Sequence, residues 1–327
     1  MGNPNKEPST VKEGNTSKAP FADHRNPATN EEGAAGLRET LKKLTSDRVI
    51  PYILVAPAVF LVLALTIYPS IYVIGTSFTD WNLTRTVTKY VGLQNYVDMA
   101  SDPLVLRSLF NTSVFMVGST ALIIILGLAL ALALNQPVRF RAFFRSSVVL
   151  PWALTAVVVG VMWHSMLTPD VGIVDYMLMS ARINVPFFLD PSIALGTMTV
   201  VEVWRSTGYG MIILLAGLQG INGTLYEAAH IDGAGFWNSL RFITLPLLIP
   251  TILVAIILLS IRSVNLIDIP LVVTGGGPAR MTETLGLYMW KESFSFYHIG
   301  YGSSVAVVMF IFNLILTVFY IRVLTRS

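Results

Sequence analysis

The chain has no cysteine in 327 residues, which excludes disulfides, thiolate nucleophiles and cysteine-ligated metals. Charge is scarce too: 13% of residues are Asp, Glu, Lys or Arg, against about 25% in an ordinary soluble domain. No Gly-x4-Gly-Lys-Ser/Thr occurs, so the polypeptide carries no ATP-binding P-loop. No segment alternates in the manner of an outer-membrane barrel strand. Paired catalytic carboxylates, a histidine cluster and a nucleophile elbow are missing as well, so a membrane-embedded enzyme is a poor reading. The expectation is a chain that is not an enzyme, has no catalytic residue and binds no metal or cofactor of its own.

What the sequence has in plenty is apolar residues, 54% of the total, with a mean hydropathy of +0.65. Such a chain cannot cover itself with polar surface, and the expected class is an all-α polytopic membrane protein. Six spans are predicted, roughly Tyr52–Ile74, Ser113–Leu134, Val148–Leu167, Ile193–Leu218, Leu248–Val272 and Ser303–Leu324. Each approaches or exceeds the ~20 residues needed to cross a ~30 Å hydrocarbon layer. Residues 1–36 are polar and predicted to form a disordered tail, too long and polar for the n-region of a signal peptide. Residues 37–51 alternate Leu37, Leu41 and Leu44 with Arg38, Lys42 and Lys43, as an amphipathic helix on a membrane surface would.

The pI near 9.1 does not point to nucleic acid, because the basic residues stand beside hydrophobic runs and act as topology signals. With the N-terminus inside, inner segments hold fourteen Lys and Arg and outer segments six. Both termini are therefore expected in the cytoplasm, together with a polar loop at 219–247. That loop contains Glu227-Ala228-Ala229-His230-Ile231-Asp232-Gly233-Ala234 and runs on to Ile243-Thr244-Leu245-Pro246. Thr224 and Glu227 have the spacing of a capping box, predicting a helix from near Leu225. Gly233 suits a bend, and Pro246 the start of the next helix.

The spacing Glu-Ala-Ala-x3-Gly-x9-Ile-x-Leu-Pro resembles the cytoplasmic loop of membrane subunits of binding-protein-dependent ABC importers. The resemblance covers about residues 48–327 and implies a type I importer permease fold in a bacterial inner membrane. It also implies that Glu227, Ala228, Ala229, Asp232, Gly233 and Ala234 form a coupling helix seated in a separate ATPase, which uses ATP and magnesium. The implied assembly adds a second permease, a pair of ATPase subunits and an extracytoplasmic solute-binding protein, with the first span wrapping the partner permease. The Gly92-Leu93-Gln94-Asn95-Tyr96 stretch in the outer loop 79–111 and Thr274-Gly275-Gly276-Gly277-Pro278 resemble the carbohydrate-uptake branch, which implies a sugar or sugar-like solute. By itself the glycine run reads as a flexible turn, without the lysine of a phosphate loop.

Polar groups inside predicted spans are the candidates for a solute pathway. Glu202 and Arg205 lie one turn apart on one helical face, with Trp204 beside them as a sugar-stacking surface; an interhelical ion pair that fixes packing is the equal alternative. Arg262, Ser263, Asn265 and Asp268 form a second set, with Asn265 and Asp268 on a common face. In related sugar permeases a Phe usually precedes this aspartate, and Ile267 stands there instead. His164 is expected at the outer interface, with no second histidine at metal-ligand spacing. The competing class is an ion-coupled transporter or channel that works without an ATPase, through Glu202, Arg205 and Asp268. It has no need of the polar loop at 219–247.

Overall fold

A computed structural model describes residues 50–137 and 139–324; the predicted tail and amphipathic helix at 1–51 lie almost wholly outside them. The chain divides into two units, one ending at Ile67 and one from Tyr68 onward. In the first, α1 (Ile50–Val62) continues as a π-helical segment, Leu63–Ile67. The second opens with α2 (Tyr68–Thr76), followed by α3 (Gln94–Ser101), α4 (Pro103–Asn135), α5 (Arg141–Ala153), α6 (Ala156–Leu167), α7 (Ile173–Ser180) and α8 (Pro191–Gln219). Then come α9 (Gly223–Ile231), α10 (Phe236–Ser239), α11 (Leu245–Val264), α12 (Leu285–Trp290) and α13 (Ile299–Leu324). The only β pairing among the described residues is a single bridge between Thr79 and Tyr90. The expected all-helical class holds.

Among the described residues four helical stretches are long and apolar enough to cross a membrane: Pro51–Thr76, Pro103–Asn135, Phe236–Val264 and Ile299–Val323. A fifth crossing exists if the pair α5–α6 is one span. The predicted continuous span Val148–Leu167 is instead bent by 92° between Ala153 and Ala156. Leu154 is extended and Thr155 caps α6 by accepting from the Val158 amide, while Pro151 has already removed one donor from the end of α5. Helix α8 has the length of a span, 29 residues, but its Glu202, Arg205, Ser and Thr positions dilute its apolarity, and it is not among the four.

Two helices start earlier than their hydrophobicity indicates, for the same local reason. Asp102 caps α4 by accepting from the Leu104 amide at 2.8 Å, and Pro103 occupies the first turn. Asp190 and Pro191 do the same for α8. Proline loses nothing there, because first-turn amides have no intrahelical acceptor.

These two long helices make the spine of the second unit. Between helices in a bilayer there is little hydrophobic driving force, so close packing and hydrogen bonds hold them. Gly127 of α4 lies against the backbone of Gly210 and Met211 of α8, where an added Cβ would stand 3.0 Å from the Met211 nitrogen. Below this contact Leu134, Met211, Leu214 and Leu248 are buried together. Above it Phe115, Val159, Met198 and Ile269 form a second cluster that joins α4, α6 and α8 to the segment after α11.

Candidate functional site

The first site is the loop after α8. Its helix, α9, begins at Gly223, and the cap is Asn222, whose side chain accepts from the Thr224 amide at 3.0 Å. The predicted capping box at Thr224 and Glu227 therefore does not form. Asn222 already occupies the half-turn position, so Glu227 falls beyond the third residue, where a box needs its carboxylate. At the other end the Ala234 amide donates to the Ala229 carbonyl at 2.8 Å and the Gly233 amide to the His230 carbonyl at 3.1 Å. Gly233 sits at φ +78° in this Schellman closure, a conformation glycine adopts without Cβ strain. The bend predicted at Gly233 is thus a locked C-cap.

Helix α9 is attached by Ala229, which is buried, and by Tyr226, whose hydroxyl meets that of Thr244 at 3.0 Å. Glu227, Ala228, Asp232 and Gly233 are exposed, and Ala234 is half-buried. Glu227 makes no hydrogen bond or ion pair among the described residues. Around them lie exposed apolar side chains: Ile231 at 86%, Trp237 at 76%, with Phe236 and Phe242. Between α9 and the end of α4 is a cleft of about 390 Å³ lined by Leu132, Asn135, Tyr226, His230 and Leu240.

Pro246 stands in the first turn of α11, as expected, but that helix continues an earlier one. Helicity starts ten residues earlier, at Phe236, and Phe236–Val264 is one 29-residue rod. A π-helical segment, Leu240–Thr244, precedes the proline, and the Leu245 amide bonds back five residues to the Leu240 carbonyl. The wider turn takes up the register that the missing Pro246 donor would otherwise break.

The second site is buried beside α8. Glu202 is 1% exposed and Arg205 4% exposed. The Arg205 Nε donates to one Glu202 oxygen at 3.1 Å, and the Ser206 hydroxyl to the other at 2.6 Å. Arg262, from α11, approaches the same carboxylate at 3.9 Å with 29% of its side chain exposed. Two guanidinium groups thus share one carboxylate, and Arg262 is the loosely held member. This interhelical link escaped the sequence because only sequence-local spacings, such as i, i+3, are legible without a fold.

Trp204 turns away from the cluster, 39% exposed, and meets the Trp163 ring edge-on at 5.6 Å. On the next turns Tyr209 stacks on Trp152 at 5.1 Å, an aromatic pair the sequence did not single out. Asn265 and Asp268 do not share a face. Helix α11 ends at Val264, Asn265 is its C-cap, and helicity resumes only at Asp268. The Asn265 amide bonds back to the Ile261 carbonyl and its oxygen accepts from Asn313, while Asp268 is exposed. His164 meets the Val273 carbonyl at 2.9 Å and lies against Phe188.

The glycine turn at 274–278 is not a slack connector. Lys291 donates to the Gly275 carbonyl at 2.7 Å, the Thr282 hydroxyl to that of Gly277 at 2.5 Å, and the Thr282 amide to that of Gly276 at 3.1 Å. Beside it Arg280 grips Glu283 through Nε and Nη2 at 2.8 and 3.0 Å and lies over the Tyr288 ring. The bonds to Glu283 raise the Arg280 pKa above its ordinary value, and burial pushes the Tyr288 hydroxyl up. A turn whose three glycine carbonyls are held by Thr282, later in the same loop, and by Lys291 beyond α12 is rigid for a reason that its Gly-rich composition hides.

An all-helical integral membrane protein with a solvent-exposed helix-and-bend loop is the class these features define. A profile of the binding-protein-dependent transport system inner membrane component matches residues 123–326, and the chain belongs to that family. It is 34% identical to the sulfoquinovosyl glycerol transport system permease protein SmoG of Agrobacterium fabrum, over 85% of this chain and 91% of that one. It is also 34% identical to the trehalose/maltose transport system permease protein MalF of Thermococcus litoralis, over 87% and 96%. A solved bacterial ABC transporter involved in import of the acidic polysaccharide alginate has a chain of the same fold, with a TM-score of 0.75 over 88% of this chain and 99% of its own at 21% identity.

Proposed function

We propose that this chain is a transmembrane permease subunit of an ATP-driven importer for a sugar or sugar-like solute, powered by a separate ATPase docked on the loop at 219–247. The relatives named for sugar-containing or sugar solutes support the solute class. In this reading there are six crossings: Pro51–Thr76, α4, the bent pair α5–α6, α8, the rod Phe236–Val264, and α13. Both termini and the 219–247 loop face the cytoplasm, as the lysine and arginine asymmetry favours. A second permease, a pair of ATPase subunits using ATP and magnesium, and an outer solute-binding protein complete the assembly.

One observation carries the coupling mechanism: the rod Phe236–Val264 runs unbroken from the exposed loop to Arg262 and the Glu202 carboxylate. At 1.5 Å per residue it reaches about 43 Å, more than the ~30 Å hydrocarbon layer. The ATPase grips the exposed face of α9, with Glu227 and Asp232 as its polar contacts and Ala228, Gly233 and Ala234 allowing close approach; Ala229 is the side chain that ties α9 back to the chain. Closure of the ATPase pair displaces α9 and the start of the rod together, because the Schellman closure and the Tyr226–Thr244 bond join them. The far end of the rod then moves Arg262 against Glu202. A change of state follows only if the two states differ in contacts, and the loosely held Arg262 is the contact that can differ.

Glu202 and Arg205 are the fixed part of the solute path, and Trp204, Asn265 and Asp268, all exposed, are its accessible part. Hydroxyl-rich solutes match carboxylate, amide and guanidinium groups, which accept or donate in pairs. The test is Gly233→Asp in the assembled complex, reconstituted in proteoliposomes. Membrane insertion is expected to persist while solute-stimulated ATP hydrolysis is lost. Wild-type hydrolysis rates in that variant would overturn the docking role, and uptake that survives ATP depletion while a proton gradient is held would favour an ion-coupled transporter.

A further inference from the structure

Three of the six buried side-chain polar atoms that lack a hydrogen-bond partner among the described residues belong to two neighbouring arginines at the start of α5: Arg141 Nε and Nη2, and Arg145 Nε. Guanidinium stays charged at any working pH, and a desolvated cation without a counter-charge is strongly unfavourable. Arg280 makes the comparison within the same chain. It offers the same Nε and Nη2 edge to a carboxylate and fills it. At Arg141 that edge is empty.

Among the described residues no acid fills it. From Pro103 to Pro169, which includes α4 and α5, there is no Asp or Glu, and the one acid of α8, Glu202, is held by Arg205, Ser206 and Arg262. Arg141 and Arg145 are one helical turn apart on one face. Arg139 adds a third cation, lying over the Phe140 ring at 5.4 Å. Three phenylalanines surround them, Phe140 at 69%, Phe143 at 67% and Phe144 at 47% exposure. Arginine beside exposed aromatic rings at the end of an apolar helix is the composition of a lipid headgroup boundary.

We propose that Arg141 and Arg145 bind the phosphodiester of an anionic phospholipid. The two free oxygens of the diester match the arginine fork, and acyl chains lie along Phe143 and Phe144. The headgroup is net negative, since three cations stand here and none is paired with an acid among the described residues. The empty edge is covered by the chain's own atoms, so a rotation about the outer torsions of a long side chain admits the diester. The site is independent of the transport reading, and its failure would leave that reading untouched.

The experiment uses the full chain in phosphatidylcholine nanodiscs doped with phosphatidylglycerol, with retained lipid counted by native mass spectrometry. Phosphatidylglycerol should be retained in preference to phosphatidylcholine. Arg141→Gln with Arg145→Gln should weaken retention about 25-fold, about fivefold for each cation lost near a headgroup. Arg141→Lys with Arg145→Lys keeps the charge and loses the fork, and a loss of about fivefold is expected, reading the geometry without a change of net charge. Arg139→Gln should change retention less than about twofold, because that exposed cation is already placed over a ring. Equal retention of the two lipids, or an Arg139→Gln loss as large as either site arginine gives, would overturn the proposal in favour of diffuse surface attraction. Displacement of phosphatidylglycerol by inorganic phosphate at matched concentration would overturn the lipid assignment in favour of a free anion.

Discussion

Replacing Glu202 by Gln separates a packing role from a transport role more sharply than any other change. The amide has the carboxylate's shape and can still accept from Ser206, so almost nothing changes but the charge. Arg205, 4% exposed, is then a buried cation with no counter-charge. Breaking a buried pair from one side destabilises by about 3–5 kcal/mol. The Arg262 contact at 3.9 Å with a part-exposed side chain adds about 1 kcal/mol or less. Glu202→Gln and Arg205→Gln should therefore each lower the thermal midpoint of the detergent-solubilised chain by about 10 °C, while Arg262→Gln moves it by about 2 °C. The double variant Glu202→Gln, Arg205→Gln should be more stable than the sum of the singles by about 2 kcal/mol, because neither charge is left alone. Tryptophan fluorescence during heating is the assay, with Trp204 and Trp163 as nearby reporters. A Glu202→Gln chain within about 1 kcal/mol of the parent would refute the burial argument. An Arg262→Gln chain with unchanged stability and unchanged uptake would remove Arg262 from the path.

Other changes have equally direct outcomes. Gly127→Ala puts a Cβ against the Met211 backbone, so α4 and α8 must part, at about 1–3 kcal/mol by thermal shift. Asn222→Ala removes the α9 cap and should destabilise that helix by about 1 kcal/mol, seen as faster amide exchange confined to 223–231. Asp190 has its pKa held down by the Ser192 hydroxyl and the Ser192 and Ile193 amides. Its contribution is present above the ordinary carboxylate value of about 3.9 and lost as pH falls through the lower folded value, so the difference in midpoint between parent and Asp190→Ala should shrink only below about pH 4.

Membrane class, the placing of the apolar helices and the exposed α9 loop were all legible, because each rests on composition or on spacing along one helix. Helix starts at Pro103 and Pro191 were written in Asp-Pro pairs but lay outside the hydrophobic runs used to find spans. Pro246 marked the first turn of α11, but the short helix and π turn that run into it from Phe236 left no mark in the hydrophobic pattern. The 92° break at Leu154 had Pro151 and Thr155 as its signals, both hidden within an apolar run. Arg262 on Glu202, Lys291 on Gly275 and the empty Arg141 edge could not be read at all. They are contacts between elements, or the lack of one, and hydrophobic periodicity carries no information about them.

Since the chain is free of cysteine, Ile231→Cys places a single thiol at the most exposed apolar point of α9. With a thiol-borne photo-crosslinker there, illumination of native membranes is predicted to join this chain to a nucleotide-hydrolysing polypeptide, with a yield that changes when ATP is added. Adducts from Ile231→Cys to lipid or to an extracytoplasmic protein alone, with none to an ATPase, would contradict the account.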